Sequence, residues 1–270
     1  MTDISDQEFQ LIADFLKTHY GIHLGKEKRA LVVGRLENVL KQKNLNSFSE
    51  LYREVISDKS GQALAMLLNR LTTNHTYFMR EVRHFEFFKA TVLPYLAAAV
   101  ADRDLRIWSA GCSSGEEAYT LAMILNDYFR GSGQPWDTKL LATDISTEVL
   151  EKAVQGIYPT ESIAALPPSW QSAYFRRLDD ERRVVADTIK NAVIYRVFNL
   201  KEAFPFKKKF HTIFCRNVMI YFGAAERAAL LDKFYEYTEP GGYLFIGHSE
   251  SINRSQTKYR YIMPAVYRKE

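Results

Sequence analysis

Hydrophobic and polar positions in the first seventy residues repeat with helical spacing. In SDQEFQLIADFLKTHYGI, Phe9, Ile12, Ala13 and Leu16 fall on one face. Ser5 with Glu8 forms a capping box, and Gly21 is a stop. EKRALVVGRLENVLKQK carries the apolar stripe Val32, Leu36, Val39 and Leu40. Lys28 and Arg35 share a face away from that stripe, with Asn38 nearby. SFSELYREVI opens a third helix with Ser47 and Glu50 as a second capping box, and a fourth covers roughly Gly61 to Leu71. Four short helices predict a small bundle. The periodicity then breaks at TTNHTYFMRE (Thr72–Glu81), which reads as an extended connector leading into a helix over roughly Val82 to Val100.

After that helix the pattern becomes an alternation of strands and helices. LRIWSA, TKLLATDIS, AVIYRVFNL, FHTIFC, GYLFIGHS and YRYIMPAVYRK read as strands. GEEAYTLAMILNDYF, TEVLEKAVQ and RAALLDKFYEY read as helices. This order predicts an α/β fold, a doubly wound and mostly parallel sheet with helices on both faces. The last two strands have no helix between them, so an antiparallel pair at the sheet edge is expected. The Pro-Gly-Gly before GYLFIGHS reads as a turn. Between Tyr174 and Asn199 two β-rich runs flank the charged turn DDE, which predicts a small antiparallel insertion at about 172–192. The expected division is an all-α domain over 1–72 and an α/β domain over 73–270.

Composition narrows the class. Of 270 residues 47% are hydrophobic, enough for a sizeable core, and no apolar run reaches the length of a membrane span. The polar, acidic start MTDISDQEFQ is not expected to be a secretory signal. Cys112 and Cys215 are the two cysteines, and neither they nor the six histidines have metal-type spacing, so a cytoplasmic protein without a metal is expected. The net charge of +4 is too small to demand nucleic acid, but residues 26–43 carry all of it. Such a local positive field predicts an acidic partner. No segment looks like a dimer seam, so a monomer is expected.

The candidate chemistry centres on GCSSG (Gly111–Gly115), where an apolar strand gives way to a helix. Read literally it is G-x-S-x-G, a hydrolase nucleophile elbow. Ser113, Asp144 and His211 or His248 satisfy the order Ser, Asp, His. No Gly-rich loop precedes Trp108, however, and an elbow belongs deep within its sheet, whereas this motif ends the first strand. Read by architecture, it is a small-residue loop opening a helix, suited to a nucleotide-like cofactor. That reading demands an acid at the end of the next strand to accept from ribose hydroxyls, and LLATDIS places Asp144 there, where it could alternatively cap the helix TEVLEKA. Glu116 and Glu117 at the helix start would repel a pyrophosphate but suit a cofactor bearing positive charge, such as S-adenosylmethionine. Arg216-Asn217 end a later strand, where open α/β sheets line their ligand crevice. The absence of Asn-Pro-Pro-Tyr there disfavours base methylation.

Five segments in order, LTTNHTYFMRE, WSAGCSSGEEAYTLA, ATDISTEVLEKA, FCRNVMIYF and GGYLFIGHSES, together resemble the chemotaxis receptor methyltransferase family, CheR. The resemblance spans nearly the whole chain. It implies a class I methyltransferase-like domain that uses S-adenosylmethionine, yields S-adenosylhomocysteine and methylates glutamates of methyl-accepting chemotaxis receptors. It implies cofactor contacts at Asn74, Thr76 and Arg80, Glu117 near the methionine amino group and Asp144 on the ribose. Asn199 and Leu200 would lie at the adenine, with Arg216 and Asn217 on the cofactor's other side. Arg80 and Tyr221 would lie nearest the transferring methyl. The helical domain would recognise the receptor's acidic helical region through Arg35, Lys41 and Lys28. Some relatives carry a Gly-x-Gly turn in the β insertion, associated with docking a receptor's C-terminal peptide. Here the turn reads RRLDDERR, so no such tether is expected. A methyltransferase of another protein or a small molecule is the alternative.

Overall fold

The computed structural model describes residues 3–253 and 257–270. Its first four helices are α1 (Asp6–Tyr20), α2 (Arg29–Lys43), α3 (Phe48–Ser57) and α4 (Gln62–Leu71), around a core of their own. The apolar stripes read from the sequence are the buried ones, Phe9, Ile12, Ala13 and Leu16 on α1 and Val32, Leu36, Val39 and Leu40 on α2. The Ser5–Glu8 capping box is complete and Gly21 ends α1 in the left-handed conformation. The second box differs. The Ser47 hydroxyl accepts from the Glu50 N–H, but the Glu50 carboxylate accepts from Asn46 rather than Ser47.

Residues 73–77 belong to neither helix nor strand and 78–81 form a turn, after which a helical rod runs through α5 (Val82–Phe87), a π-helical turn (Phe88–Val92) and α6 (Leu93–Ala99). The π turn has a local cause: Pro94 has no N–H to give the carbonyl four residues earlier, and its ring crowds that carbonyl. The rest of the chain comprises β1 (Ile107–Ala110), α7 (Glu116–Phe129), β2 (Leu140–Asp144), α8 (Thr147–Gln155), β3 (Ile157–Pro159), α9 (Pro168–Tyr174), β4 (Phe175–Arg177), β5 (Arg182–Val185), α10 (Asp187–Lys190), β6 (Val193–Val197), β7 (Phe210–Cys215), α11 (Ala224–Glu236), β8 (Thr238–Ile246), β9 (Arg260–Met263) and β10 (Val266–Arg268).

The main sheet has the order β6-β2-β1-β7-β8-β10-β9, parallel from β6 to β8 and antiparallel beyond. Both faces are covered, so the central strands are apolar on both sides. Along β7 and β8, Phe214, Tyr243 and Phe245 join one core, while Ile213, Cys215, Leu244 and Ile246 join the other. The strand that is first in the chain is third of seven in space. The loop after it therefore opens in the middle of the sheet's carboxyl edge, which removes the positional argument against a nucleophile elbow.

Three sequence expectations need correcting. YRYIMPAVYRK is not one strand but the hairpin β9–β10, turning at Pro264 and at Ala265 with φ of 63°. β8 starts at Thr238, so Pro-Gly-Gly lies inside the strand, at a register shift against β7, and not before it. The insertion sheet has a third strand, β3, paired to β5 and lying outside 172–192; three residues are too few for alternation to be read.

Candidate active site

The carboxyl ends of β1, β2, β6 and β7 face an open cleft of about 1050 Å³, counting the space continuous with solvent. The connector forms one wall, with Asn74, Thr76 and Arg80. Glu117 and Asp144 line the cleft from the α7 start and the end of β2, Phe198, Asn199 and Leu200 from the segment after β6, and Arg216, Asn217 and Tyr221 from the segment after β7. All ten positions nominated for the cofactor and the reacting centre line this one cleft. Four further residues of its lining, Tyr20, Ile22, Leu71 and Thr72, come from residues 1–72. Nothing in the local sequence marks Tyr20 and Ile22.

The GCSSG loop is shaped by backbone conformations that favour glycine. Gly111 has φ of +88° and a Cβ there would meet Val218 Cγ2 at 2.3 Å; Gly115 has φ of +96°, with Ala153 Cβ 2.9 Å from the same imagined atom. The loop's serine is not a nucleophile. The Ser113 hydroxyl donates to Asn74 O (3.0 Å), its N–H donates to Asp144 Oδ2 (2.9 Å), and no histidine bonds it among the described residues. His211 instead accepts from the Arg106 N–H at the opposite end of β1 (3.0 Å).

Asp144 is not the helix cap. That role belongs to Ser146, whose hydroxyl accepts from the Val149 N–H. Asp144 takes two backbone donors, from Ser113 and Ser146, and keeps lone pairs for further donors. Burial raises its carboxyl, and those N–H groups pull it back. Of the paired acids at the start of α7, only Glu117 faces the cleft. Glu116 is buried, accepts from the Ser114 hydroxyl and has its carboxyl raised by burial.

Beneath the cleft lies a charge cluster that the sequence did not disclose. Arg216, 2% exposed, reaches Glu117 Oε2 at 2.8 Å and Glu81 Oε2 at 3.1 Å, and donates to Arg80 O. Glu117 also accepts from the Ser109 hydroxyl at 2.7 Å. Burial raises the Glu81 carboxyl, yet Arg216 and the His248 N–H carry it below its usual range. Glu250 gathers the N–H groups of Asn217, Val218, Met219 and Gly247, fixing the turn after β7 even though burial raises its carboxyl. Arg80 is different. Its guanidinium donates to His75 O (2.6 Å) and lies over the Tyr77 ring, and no carboxylate pairs with it among the described residues. Tyr221 offers its hydroxyl to Thr73 O at 3.4 Å. The Asn199 side chain is turned to α1, donating to His19 O (2.9 Å).

The basic residues of the helical domain have separate fates. Lys28 lies with Nζ 5.7 Å from the centre of the Tyr221 ring, at the cleft. Lys41 is exposed and pairs with Glu37 at 3.1 Å. Arg35 turns inward to the end of α4.

His84 adds a pH sensitivity. Its ring is fully buried, with Nδ1 3.4 Å from Glu81 Oε2, the Arg216 charge close by and His248 at 4.6 Å between ring centres. Burial first, then Arg216, push it from 6.5 down to about 4. The folded state therefore holds it neutral. Its contribution is complete above the unfolded value and is lost as pH falls toward the folded one. Between about pH 7.5 and about pH 5 the loss is expected to be about 2 kcal/mol. Urea midpoints at the two pH values, compared with those of His84→Leu, check this; the variant's drop should be visibly smaller.

Comparison with known proteins agrees with this arrangement. The family description "CheR methyltransferase, SAM binding domain" matches residues 74–267, and "CheR methyltransferase, all-alpha domain" matches residues 7–72. The chain is 41% identical to a chemotaxis protein methyltransferase of Borreliella burgdorferi, over 99% of this chain and 95% of that one. It is 35% identical to chemotaxis protein methyltransferase 1 of Pseudomonas aeruginosa, over 96% and 95%. Identity to the chemotaxis protein methyltransferase of Vibrio anguillarum is 34%, over 96% and 94%.

Proposed function

Because the chain belongs to the CheR methyltransferase family, we infer that it methylates glutamate side chains of chemotaxis receptors, using S-adenosylmethionine. The observation that carries this reading is one cleft holding two carboxylates, Glu117 and Asp144, and a guanidinium, Arg80, that pairs with no acid among the described residues. Residues 1–72 serve receptor recognition and residues 73–270 the chemistry. The substrate is the acidic helical region of the receptor, met in the cytoplasm by a monomer. No helix among the described residues is long and apolar enough to cross a membrane.

The residues fit the cofactor. Asp144 would accept from the ribose hydroxyls, Glu117 would meet the amino group, and Leu200 with Phe198 would offer an apolar seat to the adenine. Asn74 and Thr76 supply polar groups from the connector, and Arg216 and Asn217 close the other side. When bound, S-adenosylmethionine would supply an electrophilic methyl group: a glutamate oxygen would form the new O–C bond as the sulfonium S–C bond breaks, with S-adenosylhomocysteine leaving. A glutamate carboxylate, with pKa about 4.3, is already ionised at neutral pH. No side chain has to remove a proton. Arg80 steers the carboxylate and Tyr221 orients it. Alignment of the reacting atoms supplies roughly 7 kcal/mol of the barrier reduction.

The direct test incubates the protein with methyl-labelled cofactor and a receptor cytoplasmic fragment. Label should enter the receptor and leave it on mild base treatment, as an ester does. Base-stable label, or label in small molecules alone, would overturn the assignment. The hairpin turn Leu178–Arg182 contains no glycine, which supports action without a peptide tether. A receptor's C-terminal pentapeptide should accordingly give no binding heat at micromolar concentration.

A further inference from the structure

We propose that Arg35 is a positioning residue of the cofactor cleft, fastening α2 to the connector that forms the cleft's wall. The proposal rests on the cofactor reading above and deepens it. Arg35 sits on the basic helix, where a receptor contact is the first expectation, but its guanidinium is already committed. Nη1 donates to Leu71 O at 3.0 Å and to Thr72 O at 3.1 Å, and Nη2 donates to the Thr73 hydroxyl at 2.9 Å. Leu71 is the last residue of α4 and Thr72 its C-cap. Carbonyls at a helix end have no N–H from the next turn, and the end carries partial negative charge, so a permanent cation there satisfies both demands.

From that anchor the chain passes directly into the cleft. Thr72, Thr73 and Asn74 all line it. The Asn74 amide donates to the Thr72 hydroxyl (3.2 Å), and Asn74 O accepts from Ser113 in the loop after β1. Arg35 thus holds one end of a short span whose other end is tied to the glycine-rich loop. Thr73 is exposed, so water can replace the lost bonds if Arg35 is removed. The fold then persists while the wall loses its fixed position, and the effect falls on the cofactor. Lys41, on the same helix but bonded only to Glu37, has no such link.

The experiment is calorimetric titration of S-adenosylhomocysteine into wild type, Arg35→Met, Arg35→Lys and Lys41→Met. Arg35→Met is expected to raise Kd about tenfold, the scale of charge-assisted hydrogen bonds lost at a partly hydrated site. Arg35→Lys should recover part of this, because an ammonium reaches some but not all of the acceptors, and Lys41→Met should stay within about twofold of wild type. In steady state Arg35→Met should raise KM for S-adenosylmethionine, keep kcat at saturating cofactor, and leave KM for the receptor fragment unchanged. An unchanged Kd with a raised receptor KM would overturn the proposal and return Arg35 to receptor contact. If Arg35→Met does not fold, Thr73→Val removes the Nη2 acceptor from an exposed position. A rise of about two- to threefold in Kd is then expected, and a wild-type value would overturn the proposal. A wild-type protein that does not bind S-adenosylhomocysteine would instead overturn the cofactor reading itself.

Discussion

Replacing Arg80 by alanine is expected to lower the turnover of methyl transfer by about a hundredfold or more, with little change in the thermal midpoint. The two halves of this expectation have separate causes. Among the described residues the Arg80 guanidinium bonds the His75 carbonyl, lies over the Tyr77 ring and pairs with no carboxylate, so its removal leaves no acid there uncompensated. The same lack of an acidic partner leaves its charge for an incoming carboxylate. A glutamate brought to the cleft without it loses the charge that steers it, and misdirected approach costs rate steeply. Single-turnover methylation with saturating labelled cofactor separates the effect from binding. A variant with undiminished turnover would remove Arg80 from the reacting centre.

Arg216→Met is expected to act on stability. Arg216 is almost wholly buried between Glu81 and Glu117, themselves 13% and 12% exposed. Taking away one partner of such a cluster leaves charges out of water without compensation, which costs about 3–5 kcal/mol. Equilibrium urea unfolding at neutral pH should show that loss. It should be partly recovered in acid, where the Glu81 carboxyl, no longer held down by Arg216, takes up a proton and the like-charge conflict is relieved. Arg216→Lys should also lose stability, because a single ammonium cannot bridge two carboxylates in the way a planar fork does. A neutral-pH stability equal to wild type would mean that the carboxylates find other partners.

How much of this was legible in the sequence depended on range. The caps of α1 and the apolar stripes of α1 and α2 could be read to the residue, because they are properties of adjacent turns. That the GCSSG loop and Asp144 meet in one cleft could be read because adjacent parallel strands bring their carboxyl ends together. The hairpin at Pro264 and Ala265 escaped, since an apolar run on both sides hid the turn. The π turn escaped because a helix with one extra residue keeps an approximately helical pattern. Glu81 and Glu250 were invisible for a different reason. Their partners, such as Arg216 and Asn217, lie far along the chain, and a glutamate has no local signature for a partner met only on folding. Arg35 shows the limit most plainly. Its charge was evident, but its direction was set by the carbonyls ending α4, on a separate helix.

The short segment after α1 has a practical consequence. Tyr20 and Ile22 line the cleft, Ile22 forms a β-bridge with Phe222, the His23 N–H donates to Tyr221 O at 2.7 Å, and Lys201 donates to the carbonyl of Lys17 at 3.0 Å. The two halves are therefore not interchangeable parts. A chimera that grafts the bundle of a distant relative, to retarget the enzyme, would import a foreign surface into the catalytic half. Such a graft has to carry this protein's residues 17–23 with it, or redesign the facing strip at 199–201 and 221–222 in the same step.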